Sequence, residues 1–157
     1  MSFTLEELER FAAGLAASPE HWAHHVRHAE DQRIYELIWD EEDVNAWVIC
    51  WSEDQDTGFH DHDVSAAGIA VIAGKVREDR LTVGGRPCSR QLGPGVTVTV
   101  PPVAIHRVLH AGDGPAVTIH AYSPPLRRTG AYRVTADGEL QRESQPFEIE
   151  LRAPTAA

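Results

Sequence analysis

A chain of 157 residues is sized for a single domain whose one core needs no disulfide or metal staple. With 14 Lys and Arg against 24 Asp and Glu, and no basic cluster to offset a net charge of -10, nucleic acid and anionic membrane are excluded as partners. The opening Met1-Ser2-Phe3-Thr4-Leu5-Glu6-Glu7 has no basic leader followed by an apolar run, and no stretch reaches the roughly 20 apolar residues of a membrane span, so a soluble, cytoplasmic protein is expected.

In chain order, Leu5, Leu8, Phe11, Ala12 and Leu15 recur at helical spacing behind Thr4-x-x-Glu7, a capping-box pattern, and predict an amphipathic first helix over 4–17. Ser18-Pro19 reads as a cap with proline at the first helical position, which predicts a second helix from Glu20 to Ala29. His21, His24, His25 and His28 fall on that helix and are assigned to its solvent face, because no cysteine or carboxylate completes a closed metal site. The acidic run Asp40-Glu41-Glu42-Asp43 lacks the alternating ligands and turn glycine of a calcium loop and reads as a solvated turn.

Beyond Arg33 the texture is β. Runs at 44–51, 69–73, 96–100 and 116–122 are rich in β-branched and aromatic residues, and Gly84-Gly85, Gly93-Pro94-Gly95, Pro101-Pro102, Asp113-Gly114-Pro115 and Asp137-Gly138 separate them at antiparallel-turn intervals. The expected organisation is one domain: a helical segment over 1–30 packed on an all-β barrel over 31–152, with a frayed tail at 153–157. Cys50 and Cys88 show no framework spacing and are expected to be reduced thiols.

Within this β body, Gly58-Phe59-His60-Asp61-His62-Asp63 sets two imidazoles two residues apart, on one face of a strand. His106, beyond the Pro101-Pro102 break, can supply a third nitrogen from a neighbouring strand. Three neutral imidazoles leave a metal with open positions, although imidazole suits zinc, copper, iron and nickel alike.

These residues carry a resemblance to the cupin superfamily, whose fold is a jelly-roll (RmlC-like) barrel. His60-x-His62 is followed by Gly74, and Gly95 leads to Pro101 and on to His106, so both cupin motifs are recognisable. Ala67 stands where the usual glutamate ligand would be and Val103 replaces the usual glycine, a pattern similar to cysteine dioxygenases. The resemblance spans Ile34 to Tyr132 and is most specific at Cys50-Trp51, at Phe59 to Asp63, at His106-Arg107-Val108 and at His120 to Pro125. It implies iron(II) held by His60, His62 and His106, and a Ser-x-His-x-Tyr triad presented here as Thr118, His120 and Tyr122, all on one face of a strand. The implied activity is insertion of both atoms of O2 into the sulfur of a small thiol, giving a sulfinate. The implied partners are that thiol and O2, and the implied assembly is a monomer.

Two departures bear on the substrate. Many animal members carry, at the position of Ala67, a cysteine crosslinked to the triad tyrosine, so Tyr122 is expected to be an unmodified phenol. The family's carboxylate-binding arginine follows a tyrosine by two residues, a pattern matched here by Tyr35-Glu36-Leu37, which puts Leu37 at the arginine position and makes free cysteine a doubtful substrate. Arg107, Arg127 or Arg128 could replace it, with Arg107 expected to face away from the metal. Tyr35, Glu36, Leu37 and Trp39 are the expected substrate contacts, and an acidic, aromatic wall of Glu36, Trp39, Trp47 and Trp51 would suit a cationic thiol such as ergothioneine. Mercaptopropionate is a further thiol alternative. A carbon-oxygenating cupin and a metal-binding sensor module are the readings from other classes.

Overall fold

The computed structural model describes residues 1–82 and 84–152, so the expected frayed tail lies outside the described residues. Helix α1 (Leu5–Ala16) starts as the capping pattern requires: Thr4 Oγ1 accepts from the Glu7 amide at 3.2 Å and Glu7 Oε2 accepts from the Thr4 amide at 2.8 Å. Such a cap contributes about 0.5–2 kcal/mol. Its buried stripe is Leu8, Ala12 and Leu15.

The expected second helix is not formed. In its place stand two single 3₁₀ turns, Pro19–His21 and Ala23–His25. Ser18 gives no N-terminal cap and instead donates its hydroxyl back to the Gly14 carbonyl at 2.8 Å, while Trp22 turns back to donate Nε1 to the Leu15 carbonyl at 3.0 Å. Neither turn buries a residue, so no apolar stripe offsets the cost of winding a longer helix.

Among the described residues eleven strands follow: β1 (Ile34–Asp40), β2 (Asn45–Trp51), β3 (His60–Asp61), β4 (Ala66–Ala73), β5 (Lys75–Arg80), β6 (Cys88–Leu92), β7 (Thr97–Val100), β8 (His106–Ala111), β9 (Ala116–Ser123), β10 (Arg128–Val134) and β11 (Leu140–Pro146), before the short α2 (Phe147–Arg152). They form two antiparallel sheets, one ordered β1-β2-β9-β4-β7 and the other β11-β10-β3-β8-β5-β6. The fold is the jelly-roll cupin barrel expected from the motifs.

Two apolar layers result. Trp47, Ile49, Trp51, Ala67, Ile69 and Val71 of the first sheet meet Val76, Leu92 and Val108 of the second inside the barrel. On the outer face of the first sheet, Ala46, Val48, Cys50, Ala70, Val117 and Ile119 pack under α1. Because β2 and β9 are covered on both faces, they read as unbroken apolar runs rather than alternating ones. Gly74, the motif glycine between β4 and β5, has φ +68°, and a Cβ there would lie 2.3 Å from the Pro115 carbonyl oxygen, so that corner accepts only glycine. Cys50 is buried, Cys88 is exposed, and both are free thiols. No helix among the described residues is long and apolar enough to cross a membrane.

Candidate metal centre

Strand β3 is two residues long and contributes His60, with His62 just beyond it; directly across the ladder from His60, β8 contributes His106. Strand parity turns all three rings into the barrel, where they are buried. His62 Nε2 lies 3.1 Å from His60 Nε2 and 3.2 Å from His106 Nε2.

The far sides of the rings set their proton positions. His60 Nδ1 donates to the Gly58 carbonyl at 3.0 Å, and His106 Nδ1 donates to the Glu78 carboxylate at 2.8 Å. A neutral imidazole carries one N–H, so in both rings Nε2 is a bare lone pair. Those two lone pairs and His62 Nε2 face one point, and three imidazole nitrogens with no carboxylate among them fit a divalent transition metal with open positions. Burial drives His62 well below its ordinary pKa, with His106 and His60 adding to the effect, and lowers His106 to about 4 despite the hydrogen bond to Glu78. His62 and His106 are therefore neutral donors at physiological pH.

Glu78 was not visible as a site residue in the sequence. It lies on β5, is 1% exposed, and receives Arg80 Nη2 at 3.1 Å and Arg90 Nε at 2.9 Å besides His106. Burial alone would raise its pKa, but His106, Arg80 and Arg90 hold it at about 2. An ionised carboxylate behind a ligating imidazole fixes the tautomer and strengthens the donor nitrogen. The available signal was parity: Val76, Glu78 and Arg80 share a strand face, but Arg77-Glu78-Asp79-Arg80 reads as a solvated charge run.

Beside the histidines, β9 presents Thr118, His120 and Tyr122, all buried. Trp51 Nε1 donates to Thr118 Oγ1 at 2.9 Å, Thr118 Oγ1 lies 3.0 Å from His120 Nε2, and His120 Nδ1 lies 3.3 Å from the Tyr122 hydroxyl. Thr118 and Tyr122 thus occupy the two ring nitrogens of His120, and one imidazole proton sets the direction in which the chain runs. Burial first, then the neighbouring histidines and Arg33, lowers His120 to about 3 and keeps it neutral. The Tyr122 ring stands edge-on to His62 with centroids 5.0 Å apart. Ala67 is paired directly opposite Tyr122 across β4 and β9, so no sulfur is available there and the tyrosine stays a phenol.

The four expected substrate contacts separate. Tyr35 packs against the interior cluster, whereas Leu37 is 46% exposed and Glu36 pairs with Arg27 at 3.0 Å near the surface. Trp39 packs edge-on to Phe11 and His21 in the outer layer, on the other side of the sheet from the histidines. A register shift between Leu37 and Trp39 accompanies this change of face. Trp47 and Trp51 do face the interior, so the sheet itself divides the anticipated aromatic wall. Arg107 turns outward to Asp79 at 2.8 Å, as strand alternation required.

The cation whose charge is felt at His120 is instead Arg33, which is 1% exposed. Its guanidinium lies 5.3 Å from the Trp51 ring centroid and donates to the Asp56 carbonyl at 2.7 Å.

The neutral histidines make a prediction for the metal-free protein. Because the folded values of His106 and His120 lie below the unfolded value of 6.5, the unfolded chain binds more protons between pH 6.5 and about 4, and stability must fall as pH falls through that window. The slope is of the order of 1 kcal/mol per pH unit for each ring. The contribution of Glu78 is present above 4.5 and is lost toward its folded value of about 2, which extends the decline. Urea unfolding in chelator should show this loss between pH 7 and 4.5; a flat profile would mean that the rings are not held neutral.

Two facing antiparallel sheets enclosing a trio of histidines define a cupin barrel whose interior holds a cluster able to take a metal ion. Solved structures share the fold: a conserved Klebsiella pneumoniae protein with a double-stranded beta-helix domain superposes with TM-score 0.58 at 15% identity, covering 78% of this chain and 88% of its own. A cupin superfamily protein of Desulfitobacterium hafniense gives TM-score 0.55 at 14% identity over 66% of this chain and 87% of its own. The particular family is set by sequence: the family model for cysteine dioxygenase type I matches residues 3–135, and the chain belongs to that family. Cysteine dioxygenase type 1 of Danio rerio is 24% identical over 138 residues, covering 80% of this chain and 68% of that protein. The Homo sapiens enzyme of the same name is 22% identical over 139 residues, covering 82% and 69%.

Proposed function

We propose that this chain is a mononuclear iron(II) thiol dioxygenase that converts a small acidic thiol and O2 into the corresponding sulfinate. The observation that carries this reading is the convergence of three Nε2 atoms beside a hydrogen-bonded Thr118–His120–Tyr122 chain inside a cysteine dioxygenase family barrel. When bound, iron(II) would supply Lewis acidity that lowers the thiol pKa and the redox chemistry through which O2 reacts at sulfur. Overall, a thiolate and O2 combine as R–S⁻ + O2 → R–SO2⁻, with no other reactant consumed.

His60, His62 and His106 hold the ion, and Glu78 keeps the His106 tautomer correct. With the His120 proton on Nδ1, the relay from Trp51 through Thr118 and His120 would fill one lone pair of the Tyr122 oxygen and direct the phenol O–H outward as a donor toward the reacting group. Trp47 against Tyr122, with centroids 5.8 Å apart, helps keep water out.

Arg33 supports an acidic substrate. Its positive charge is buried next to Trp51 and is felt at His120, whereas Glu36 and Trp39, which would favour a cationic thiol, are placed elsewhere.

The test is oxygen uptake by iron(II)-loaded protein with cysteine, mercaptopropionate, cysteamine and ergothioneine, with mass spectrometry of the sulfur product. Gain of two oxygen atoms on cysteine or mercaptopropionate is expected. Arg33→Gln should raise KM for the carboxylate thiols about 10- to 100-fold, the effect of losing a charge-assisted contact of roughly 1.5–3 kcal/mol. Turnover of ergothioneine alone would overturn the acidic-substrate reading, and iron binding without oxygen uptake on any thiol would move the assignment to a carbon substrate or a sensor.

A further inference from the structure

The three histidines are not held alike. His60 and His106 each have the second ring nitrogen tied to a protein oxygen, but His62 Nδ1 is buried with no hydrogen-bond partner among the described residues. No hydrogen bond to Nδ1 fixes the ring's direction, so the aim of His62 rests on its packing against Tyr122 and on its main chain. That main chain is weakly laddered: β3 contains only His60 and Asp61, and His62 lies past its end.

The carboxylate between the two ligands supplies the missing restraint. Strand parity turns Asp61 away from the metal centre, where its Oδ2 accepts from Arg142 Nε at 2.8 Å and from the Tyr132 hydroxyl at 2.6 Å. Its Oδ1 accepts from Arg142 Nη2 at 2.9 Å and from the Asp63 amide at 2.8 Å. The same Nη2 reaches Asp63 Oδ1 at 3.3 Å. One guanidinium on β11 therefore grips the residues on both sides of His62, with Asp63 held at φ +56° and the Ser65 amide closing onto the His62 carbonyl at 2.9 Å.

The strand between them is shaped for this reach. A Cβ at Gly130 of β10 would lie 2.2 Å from Arg142 Nε, so the missing side chain is the space through which the guanidinium crosses to Asp61. The bidentate geometry gives orientation as well as attraction.

We infer that Arg142, with Tyr132 and Gly130, is a positioning device for the metal centre, which sets the direction of His62 through the Asp61 carboxylate. A bidentate pair with a buried carboxylate also steadies the fold, so its effect on metal affinity is read beside the melting of the same variants. This inference rests on the reading of His60, His62 and His106 as metal ligands.

Cobalt(II) titration, followed by visible ligand-field absorption, separates the two. Wild-type protein is expected to bind cobalt(II); if it does not, the ligand reading itself falls and the positioning device with it. Given binding, Arg142→Ala should weaken cobalt(II) affinity about 10- to 100-fold and change the absorption envelope, the range typical of lost outer contacts at metal sites. Gly130→Ala keeps the charge but displaces the flexible arginine and should have the same effect, while Tyr132→Phe should give a smaller loss. Arg128→Ala, which removes a contact to Ser144 on the same hairpin, should leave affinity unchanged. Melting of the metal-free variants controls for folding. Wild-type affinity and spectra in both Arg142→Ala and Gly130→Ala, or an equal loss in Arg128→Ala, would overturn the inference.

Discussion

His60→Ala is expected to abolish tight metal binding and turnover together, with metal affinity falling by at least about 100-fold, beyond the loss typical of outer contacts alone. The reason is that the site has no spare donor among the described residues. The proposed ligand set is three imidazoles, the residue at the usual fourth position is Ala67, and Glu78, a buried carboxylate behind His106, is committed to His106, Arg80 and Arg90. Two imidazoles and water hold a divalent ion weakly. Parallel metal titration and oxygen-uptake assays read both quantities. A variant that lost the metal yet kept affinity for a small-molecule ligand would identify a binding module rather than an enzyme, and one that kept turnover would remove His60 from the site.

Tyr122→Phe should separate the two functions that His60→Ala removes together. Turnover is expected to fall about 100- to 10,000-fold, the range for losing a positioned proton donor, while metal affinity stays within about twofold of wild type. The ring is retained, so its contacts with Trp47 and His62 and the packing opposite Ala67 persist. What disappears is the hydroxyl at the end of the Trp51–Thr118–His120 relay. His120 Nδ1 then loses its hydroxyl partner, a buried cost of roughly 1–3 kcal/mol that thermal unfolding should register. A fall in kcat with an unchanged KM would place the phenol in the reaction step; a rise in KM alone would confine it to holding substrate.

The legibility of the site follows the range of the interactions that build it. Thr4 and Glu7 close a helix cap within one turn, and the i, i+2 histidines share a face by the pleat alone, so sequence spacing is enough for both. The convergence of His106 on the pair needed the β3–β8 pairing, which the cupin motifs conveyed as a pattern although no local rule could. Where neighbouring segments competed, local signals misled. Ser18-Pro19 promised a helix, but the Ser18 hydroxyl and Trp22 turn back onto α1 and leave two short turns. The register shift in β1 moves Trp39 to the outer face, so a wall drawn from composition is split between two sides of one sheet.

Composition, periodicity and motif spacing by themselves determined the β class of the body, the first helix and its cap, the cupin motifs with their three histidines, and the Thr-x-His-x-Tyr strand, because each depends on residues close in sequence or on a pattern preserved as spacing. Only the tertiary structure decided that Glu78 backs His106, that Arg33 rather than Leu37 stands beside the triad, and that Arg142 reaches across Gly130 to Asp61. Those contacts join strands 28 residues apart for Glu78 and His106 and 81 apart for Asp61 and Arg142. Their partners are chosen by strand register, and register is set by how two sheets bury their apolar faces together, a property of the whole barrel that no segment carries alone.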